Sequence, residues 1–153
     1  MIDPQKDQLC KDLYRELENY SRMFDWVDKW AKEKPNDIAL IEYNTGEEVT
    51  WKDFATKSKA FAAKLLKLGI KKGDVVATML VLLKEHVYLM YACYRIGAVI
   101  APLDPRLKVK EVDRCFEQMR PKAFFCLGNT PVTDFRPIIV EMIKKHASAN
   151  GGP

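Results

Sequence analysis

Few residues of this chain have a type and spacing that could support catalysis. His86 stands beside Glu85 at a predicted helix start, and no nucleophile lies near it in the sequence, so a catalytic role is not indicated. Asp104 lies between two prolines after a predicted strand. A carboxylate there could serve a site at the carboxyl end of the strand or cap a tight turn, and we favour the turn.

The cysteines and histidines do not form a metal-binding pattern. The cysteines lie far apart and include no C-x-x-C pair: Cys10, Cys93, Cys115 and Cys126. Only His86 and His146 could assist them, so we predict no metal site. Three of the four cysteines lie in apolar segments, which predicts reduced, buried thiols in a cytoplasmic protein. The sequence therefore provides no catalytic, cofactor-binding or metal-binding residue that we would name.

Two aromatic groups allow a ligand-binding or a structural interpretation. The first group could form a ligand box, but its helical positions favour packing: Trp26, Trp30 and Trp51. The second group lies on one stripe of a predicted helix and is expected in the core: Tyr88, Tyr91 and Tyr94.

The positive charge of the chain also has two interpretations. The net charge is +4, and the lysines between residues 57 and 72 have only one aromatic residue, Phe61, among them, so a solvated helix face is favoured over nucleic-acid binding. The Lys71-Lys72-Gly73-Asp74 segment resembles a phosphate-gripping loop only superficially. It leads into a strand and offers no helix N-terminus to an anion.

The periodicity of apolar residues predicts alternating helices and strands. Helices are predicted over residues 5–20, 25–34, 84–96, 108–119 and 135–146, with a long helix from the Thr50–Asp53 capping box to Gly69. Strands are predicted over residues 38–43, 48–50, 75–83, 98–103 and 123–127, the first two joined as a hairpin by the Asn44-Thr45-Gly46-Glu47 turn. The pattern from residue 75 to 127 predicts two right-handed crossovers. The expected fold class is therefore α/β, a doubly wound, largely parallel sheet with helices on both faces plus a β-hairpin.

The stretch YRIGAVIAPLDP at residues 94–105 marks one helix-to-strand connection. Gly97 is predicted to end the helix in the left-handed conformation. Pro102 donates no hydrogen bond, so the strand is expected to end there or to lie at a sheet edge.

The length suits one domain, or one subdomain of a larger protein, and the composition is that of a globular protein. The N-terminus is too polar for a signal peptide, and charges interrupt the longest apolar stretch, so we expect a soluble, cytoplasmic protein without a membrane span. The expected organisation is an N-terminal helix in residues 1–22, a partial domain in residues 23–147 and a disordered tail in residues 148–153.

Four segments resemble, in sequence and order, the start of the adenylate-forming enzymes: VTWKDF (49–54), KLGIKKGDVV (67–76), YRIGAVIAPLDP (94–105) and RPKAFF (120–125). This superfamily contains acyl-CoA synthetases, adenylation domains of peptide synthetases and luciferases. VTWKDF is similar to the family's T-Y-x-E-L helix start, and YRIGAVIAPLDP to its L-K-A-G-A-x-x-x-P-L-D-P segment. The resemblance runs from Phe24 to Leu127. One segment departs, because Met79–Leu83 reads MLVLL where the family commonly ends a strand in Leu-Pro-Asn.

The resemblance implies that these motifs build the first part of a large N-terminal AMP-binding domain. In the family, chemistry comes from later elements: a Ser/Thr/Gly-rich phosphate loop ending in Pro-Lys, an aromatic-x-x-Thr-Glu segment for magnesium and adenylate, an aspartate for the ribose, and a lysine on a mobile C-terminal domain. This sequence contains none of these, and its only adjacent glycines are Gly151 and Gly152. The fragment alone is therefore expected to be catalytically inactive.

The function implied by the resemblance is that of an N-terminal fragment of an AMP-forming acid:CoA ligase. The full-length parent would use ATP, Mg²⁺ and coenzyme A to convert a carboxylic acid to an acyl-adenylate and then to a thioester. The resemblance points to fatty acid metabolism, and the sequence does not separate fatty, aryl and short acids.

The expected partners are the remainder of the synthetase and a second copy of the chain, which would associate through an exposed apolar face. No nucleic acid is expected. One alternative is a short non-catalytic module that binds a partner with this fold. A free-standing nucleotide-binding Rossmann domain is disfavoured, because the strand-to-helix turns contain no glycine fingerprint.

Overall fold

The computed structural model describes residues 8, 11, 12, 14, 15 and 22–147. The described residues before residue 22 are helical, as predicted, and the Gln8 amide donates a hydrogen bond to Asp12 at 3.0 Å. The rest of the predicted helix over residues 5–20 and the predicted tail over residues 148–153 lie outside the described residues. The chain divides into two compact units, with the boundary after Thr56.

Helix α1 (Met23–Glu33) begins the first unit. It starts two residues before the predicted boundary, because the Asp25 carboxylate accepts a hydrogen bond from the Arg22 backbone N–H at 3.2 Å and supports the first turn. The helix ends before Pro35, as predicted, and the Lys34 N–H donates to the Trp30 carbonyl at 2.8 Å.

The predicted hairpin is confirmed as β1 (Ile38–Ile41) paired antiparallel with β2 (Glu48–Thr50). The prediction extended β1 to Tyr43. The strand stops earlier because the connection turns back at Glu42, whose carbonyl accepts a hydrogen bond from the Gly46 N–H at 2.8 Å. Gly46 has a φ of 69°, a conformation that glycine adopts without strain.

Helix α2 (Trp51–Lys67) follows the hairpin directly. The predicted cap is confirmed, since the Thr50 hydroxyl accepts a hydrogen bond from the Asp53 N–H at 3.1 Å. Gly69 ends the helical segment in the left-handed region with a φ of 78°. The Ile70 N–H then donates back to the Leu65 carbonyl at 3.1 Å, so a backbone donor beyond the helix end satisfies one of its last carbonyls.

The second unit contains a three-stranded parallel sheet of β3 (Val75–Met79), β4 (Val99–Pro102) and β5 (Ala123–Cys126). The strand order is β4-β3-β5, so β3 is central. The chain passes from β3 to β4 on one side and then across β3 to β5 on the other side. These two right-handed crossovers run in opposite directions, so their helices lie on opposite faces of the sheet.

The core confirms helices on both faces of the sheet. On one face, β3 packs against α2 and α3 (Lys84–Ile96) through Val76, Leu65, Leu89 and Ala92. On the other face, β3 packs against α4 (Val109–Met119) through Ala77, Met79, Val112 and Phe116. The α/β fold class predicted from the sequence is therefore correct.

The predicted strand over residues 75–83 is too long. Strand β3 stops at Met79, and residues 80–83 form a loop in which the Leu83 N–H donates to the Val81 carbonyl at 2.9 Å. The apolar run does not indicate a buried strand throughout, because Leu82 is 78% exposed. The chain needs these residues to turn from the sheet into α3.

The structure explains how Pro102 fits into β4. The N–H groups of Val99 and Leu103 donate to carbonyls of Asp74 and Thr78, at 2.9 and 2.7 Å. Alternate residues of a strand direct their N–H groups to opposite edges, so position 102 faces the edge away from β3. Strand β4 is an edge strand, and proline is tolerated there, as the sequence predicted.

The last predicted helix, over residues 135–146, divides into α5 (Arg136–Met142) and a π-helical turn (Ile143–Ala147). Asp113 on α4 holds the turn: its carboxylate lies 2.7 Å from both His146 Nε2 and Lys145 Nζ. In the described part of the chain, no helix is long and apolar enough to cross a membrane.

Candidate functional site

His86 lies in the first turn of α3 and is almost fully buried. Its Nε2 atom is 3.1 Å from the hydroxyl of Thr78 on β3. Its Nδ1 atom has no hydrogen-bond partner, so no third group orients the ring as the carboxylate of a catalytic triad would. The pair joins α3 to the sheet and lacks the arrangement of a catalytic dyad.

Asp104 occupies the tight turn that follows β4. Its Oδ1 atom accepts hydrogen bonds from the Arg106 backbone N–H at 2.9 Å and from Arg106 Nε at 3.0 Å. The bonds from the Arg106 side chain and backbone lower the pKa of Asp104 to about 2. The predicted capped turn is confirmed, and the carboxylate is ionised and engaged within its own loop.

A second turn of the same construction follows β5. The Oδ1 atom of Asp134 accepts from the Arg136 N–H at 3.0 Å and from Arg136 Nε at 2.8 Å. These bonds, the side-chain bond first, lower the pKa of the Asp134 carboxyl. Because β4 and β5 are parallel, both Asp-x-Arg turns lie at the same end of the sheet.

The two loops that contain these turns line a cleft of about 630 Å³. One wall is the β4–α4 loop and the first turn of α4, residues 105–110. The other wall consists of Thr133, Asp134, Phe135 and Ile138. The cleft lies at the carboxyl ends of the strands, where open α/β sheets bind their ligands.

The lining of the cleft combines an apolar interior with a cationic rim. Leu107, Val109 and Phe135 supply apolar surface, and Arg106, Lys108 and Lys110 supply positive charge. Arg106 is engaged by Asp104, but the ammonium group of neither lysine pairs with an acidic side chain of a described residue. Lysines at the mouth of an apolar cleft suit a ligand that carries phosphate or carboxylate groups.

The sequence interpretation missed this cleft. It identified Asp104 but neither Arg106 nor the partner turn, because two loops 30 residues apart give no sign of proximity until the strand order is known. The detectable signal was the repeated Asp-x-Arg pattern at residues 104–106 and 134–136, each after a predicted strand.

The tryptophans of the first unit lie in series. The ring centroids of Trp26 and Trp30 are 6.4 Å apart, and those of Trp30 and Trp51 are 6.3 Å apart. The rings contact one another and leave no ligand box between them, as the packing interpretation predicts. In the second unit, Tyr88 is buried and packs edge-on against Phe61, as predicted. Tyr91 and Tyr94 were also expected in the core, but both are only partly buried and pack edge-on against each other.

The Lys71–Asp74 turn is occupied by its own hydrogen bonds. The Asp74 carboxylate accepts from the Lys71 N–H at 2.6 Å and from Lys122 Nζ at 2.9 Å. Within the described ranges, no group of three or more His, Cys, Asp or Glu side chains is placed to hold a metal ion.

Comparison with known proteins defines the family. The model of the family described as AMP-binding enzyme matches residues 27–150, most of the chain. This chain belongs to that family. Its fold and sequence correspond to the N-terminal portion of acyl-CoA synthetase-type members.

Individual relatives match over part of their length. The chain is 33% identical over 89 residues to a 2-succinylbenzoate–CoA ligase of Oceanobacillus iheyensis, covering 58% of this chain and 18% of that protein. It is 38% identical over 80 residues to an acetyl-coenzyme A synthetase of Emericella nidulans, covering 50% and 12%. The chain thus spans less than a fifth of these relatives.

Solved structures give the same result. The inhibitor-bound N-terminal domain of FACL13 from Mycobacterium tuberculosis matches with a TM-score of 0.70 and 27% identity, over 82% of this chain and 30% of that one. A putative long-chain-fatty-acid CoA ligase from Rhodopseudomonas palustris matches with a TM-score of 0.72 and 25% identity, with the same coverage.

Proposed function

We propose that this chain is the N-terminal fragment of an AMP-forming acid:CoA ligase. The parent enzyme would activate a carboxylic acid with Mg²⁺-ATP to an acyl-adenylate and transfer the acyl group to coenzyme A. The observation that carries the proposal is the doubly wound β4-β3-β5 sheet, which matches the N-terminal domain of an acyl-CoA ligase over 82% of the chain.

In this proposal the chain supplies scaffold and part of a binding surface, with no catalytic group. Adenylation requires backbone N–H donors and a lysine around the phosphates and a carboxylate for magnesium. The sequence has no Ser/Thr/Gly-rich loop ending in Pro-Lys, and its carboxylates Asp104 and Asp134 are engaged by neighbouring arginines. Catalytic groups must come from other sequence.

The cleft between the two Asp-x-Arg turns is the surface of this chain best suited to contribute to substrate binding. Lys108 and Lys110 would attract a phosphate-bearing substrate of the parent enzyme, and the apolar lining would contact its uncharged portion. A Lys108→Gln/Lys110→Gln variant of the parent should raise KM for such a substrate and leave kcat nearly unchanged.

Sequencing of the transcript beyond the codon for Pro153 tests the proposal directly. We expect the same reading frame to continue into a Ser/Thr/Gly-rich loop ending in Pro-Lys, and further on to a lysine-bearing C-terminal domain. A stop codon immediately after Pro153 in the mature transcript would contradict the proposal.

The alternative is a non-catalytic binding module, and the missing phosphate loop is the observation that favours it. Such a module would use the exposed edges of the sheet to bind its partner. The transcript experiment separates the two functions, since only the module is compatible with a reading frame that ends at Pro153.

A further inference from the structure

The excess positive charge of the chain is concentrated in one short segment. Residues 57–74 contain six lysines and one aspartate, a net charge of +5, whereas the whole chain has a net charge of +4. The rest of the chain is therefore slightly acidic. All six lysines are exposed: Lys57, Lys59, Lys64, Lys67, Lys71 and Lys72. We refer to these six side chains as the lysine surface.

The lysine surface covers the outer side of α2 and the turn into β3. The opposite side of the same segment is fixed in the core by Ala62, Leu65 and Ile70. The aliphatic stem of Lys72 packs over Gly97, where an added Cβ atom would lie 2.9 Å from the Lys72 Cγ. The backbone of the segment is thus anchored in the core, while its lysine side chains remain exposed.

The segment does not neutralise its own charge. Its single carboxylate, Asp74, is bonded to Lys122 Nζ at 2.9 Å, and Lys122 lies outside the segment. Among the described residues, Lys57, Lys67 and Lys72 form no salt bridge with an acidic side chain. Cations on one short stretch repel one another, so the approach of an external anion to this surface is electrostatically favoured.

Two exposed leucines lie among the lysines. Leu66 is 56% exposed and Leu68 is 67% exposed, at the end of α2. Protein surfaces that lie on a bilayer combine lysines with exposed leucines. The ammonium groups lie among the lipid phosphates, and the apolar side chains reach the boundary of the acyl chains.

The absence of arginine from residues 57–74 narrows the class of partner. Arginine forks recognise individual carboxylates or phosphates in fixed geometry, whereas lysine acts as a mobile point charge suited to a diffuse anionic surface. The segment's only aromatic residue, Phe61, packs against the core, so no ring is offered for stacking on a nucleic-acid base.

We propose that the lysine surface, together with Leu66 and Leu68, docks the protein onto membranes rich in anionic phospholipid. The docking is peripheral and independent of the ligase function proposed above. It places the outer side of α2 against the lipid headgroups. The cleft lined by Lys108 and Lys110 lies at the carboxyl ends of the strands, whereas the lysine surface leads into the amino end of β3, so the cleft remains accessible during docking.

Co-sedimentation of the full chain with lipid vesicles tests the proposal. Binding is expected to vesicles that contain phosphatidylglycerol, to be weak on pure phosphatidylcholine, and to fall as ionic strength rises. A Lys67→Gln/Lys71→Gln variant should bind about thirty-fold more weakly, since each lysine near an anionic surface contributes about five-fold. The matched control, Lys108→Gln/Lys110→Gln, removes the same charge at the other end of the sheet and should bind as the unmodified chain does.

The leucines are tested separately with a second matched pair. Leu68→Ser should weaken vesicle binding, whereas Leu82→Ser, which removes a similarly exposed leucine outside the surface, should not. Far-ultraviolet circular dichroism checks that all four variants remain folded. Equal losses in both lysine variants, no binding to anionic vesicles, or tighter binding to an acidic protein or to DNA than to the vesicles would overturn the proposal.

Discussion

The helix-to-strand connection at Gly97 depends on a single residue. Gly97 has a φ of 73°, and its N–H donates to the Tyr94 carbonyl at 3.3 Å. A side chain there would meet both a strained backbone and the stem of Lys72. We expect Gly97→Val to lower the free energy of unfolding by about 1–3 kcal/mol, measured by denaturant titration.

Gly128 provides the matched control for that substitution. Its backbone is outside the left-handed region, and an added Cβ atom would meet nothing within 4 Å. Gly128→Val should therefore change the free energy of unfolding by less than about 0.5 kcal/mol. An unchanged denaturant midpoint for Gly97→Val would contradict the role assigned to Gly97.

Cys93, which is buried, and Cys126, which is half-buried, should both react slowly in the folded protein. Burial raises the pKa of both Cys93 and Cys126 from 9.0 to about 11, so about a hundred-fold less thiolate is present at pH 8. We expect iodoacetamide to modify both residues at least about a hundred-fold more slowly in buffer than in urea, as measured by peptide mass spectrometry. Rapid modification of Cys93 in buffer would show that the core opens readily.

The same shift predicts how stability depends on alkaline pH. A pKa raised in the folded state means that the folded protein holds these protons more tightly than the unfolded chain does. The stabilisation is complete below pH 9 and is lost as the pH rises through 11. A Cys93→Ala variant should therefore lose less stability than the unmodified chain between these pH values.

At the scale of elements, strand β5 depends on a clasp at its start. Lys122 Nζ bonds both the Gly69 carbonyl at 2.8 Å and the Asp74 carboxylate at 2.9 Å, joining β5 to the end of α2 and the start of β3. Lys122→Gln removes the charge, and we expect a lower denaturant midpoint at pH 7. The control is Lys108→Gln, at an exposed lysine whose ammonium group has no acidic partner among the described residues.

The contact between Lys122 and Asp74 also predicts how the stability of the fold depends on acidic pH. The bond from Lys122, followed by the bond from the Lys71 backbone, lowers the pKa of Asp74. A lowered pKa gives stabilisation that is present above the unfolded value and is lost as the pH falls through the folded value. The difference in free energy of unfolding between the unmodified chain and Lys122→Gln should therefore shrink on acidification. A constant difference from pH 7 to pH 2 would contradict the role assigned to Lys122 and Asp74.

The sequence predicted the elements well because their boundaries are determined locally. Thr50 and Gly97 mark helix ends through hydrogen bonds to residues a few positions away. The strand over residues 75–83 was overextended, because an apolar run looks the same in a strand as in the exposed loop at Leu82. The cleft was missed for a different reason: it depends on the order of strands, a non-local property.

At the scale of the whole molecule, the described part of the parallel sheet has two open edges. In the described part of the chain, β4 and β5 each have one neighbour, and β5 has an entirely apolar sequence, although all four of its residues are only half-buried. Such edges associate. We expect a dimer or larger assembly in sedimentation velocity experiments, and a smaller assembly for Val99→Lys, which places a charge on the exposed edge of β4. A clean monomer at high concentration would refute this expectation.

The final prediction concerns activity of the isolated chain. Formation of an acyl-adenylate requires phosphate-binding N–H groups, a lysine, a magnesium carboxylate and a closed site, and this chain supplies no recognisable set of them. Pyrophosphate exchange should therefore remain at the no-protein background with any carboxylic acid, while an acetyl-coenzyme A synthetase gives a signal under the same conditions. Calorimetry should detect no ATP affinity better than roughly millimolar, the level of adventitious binding. Micromolar ATP binding or acid-dependent exchange by the purified chain would show that residues assigned here to scaffold form an active site.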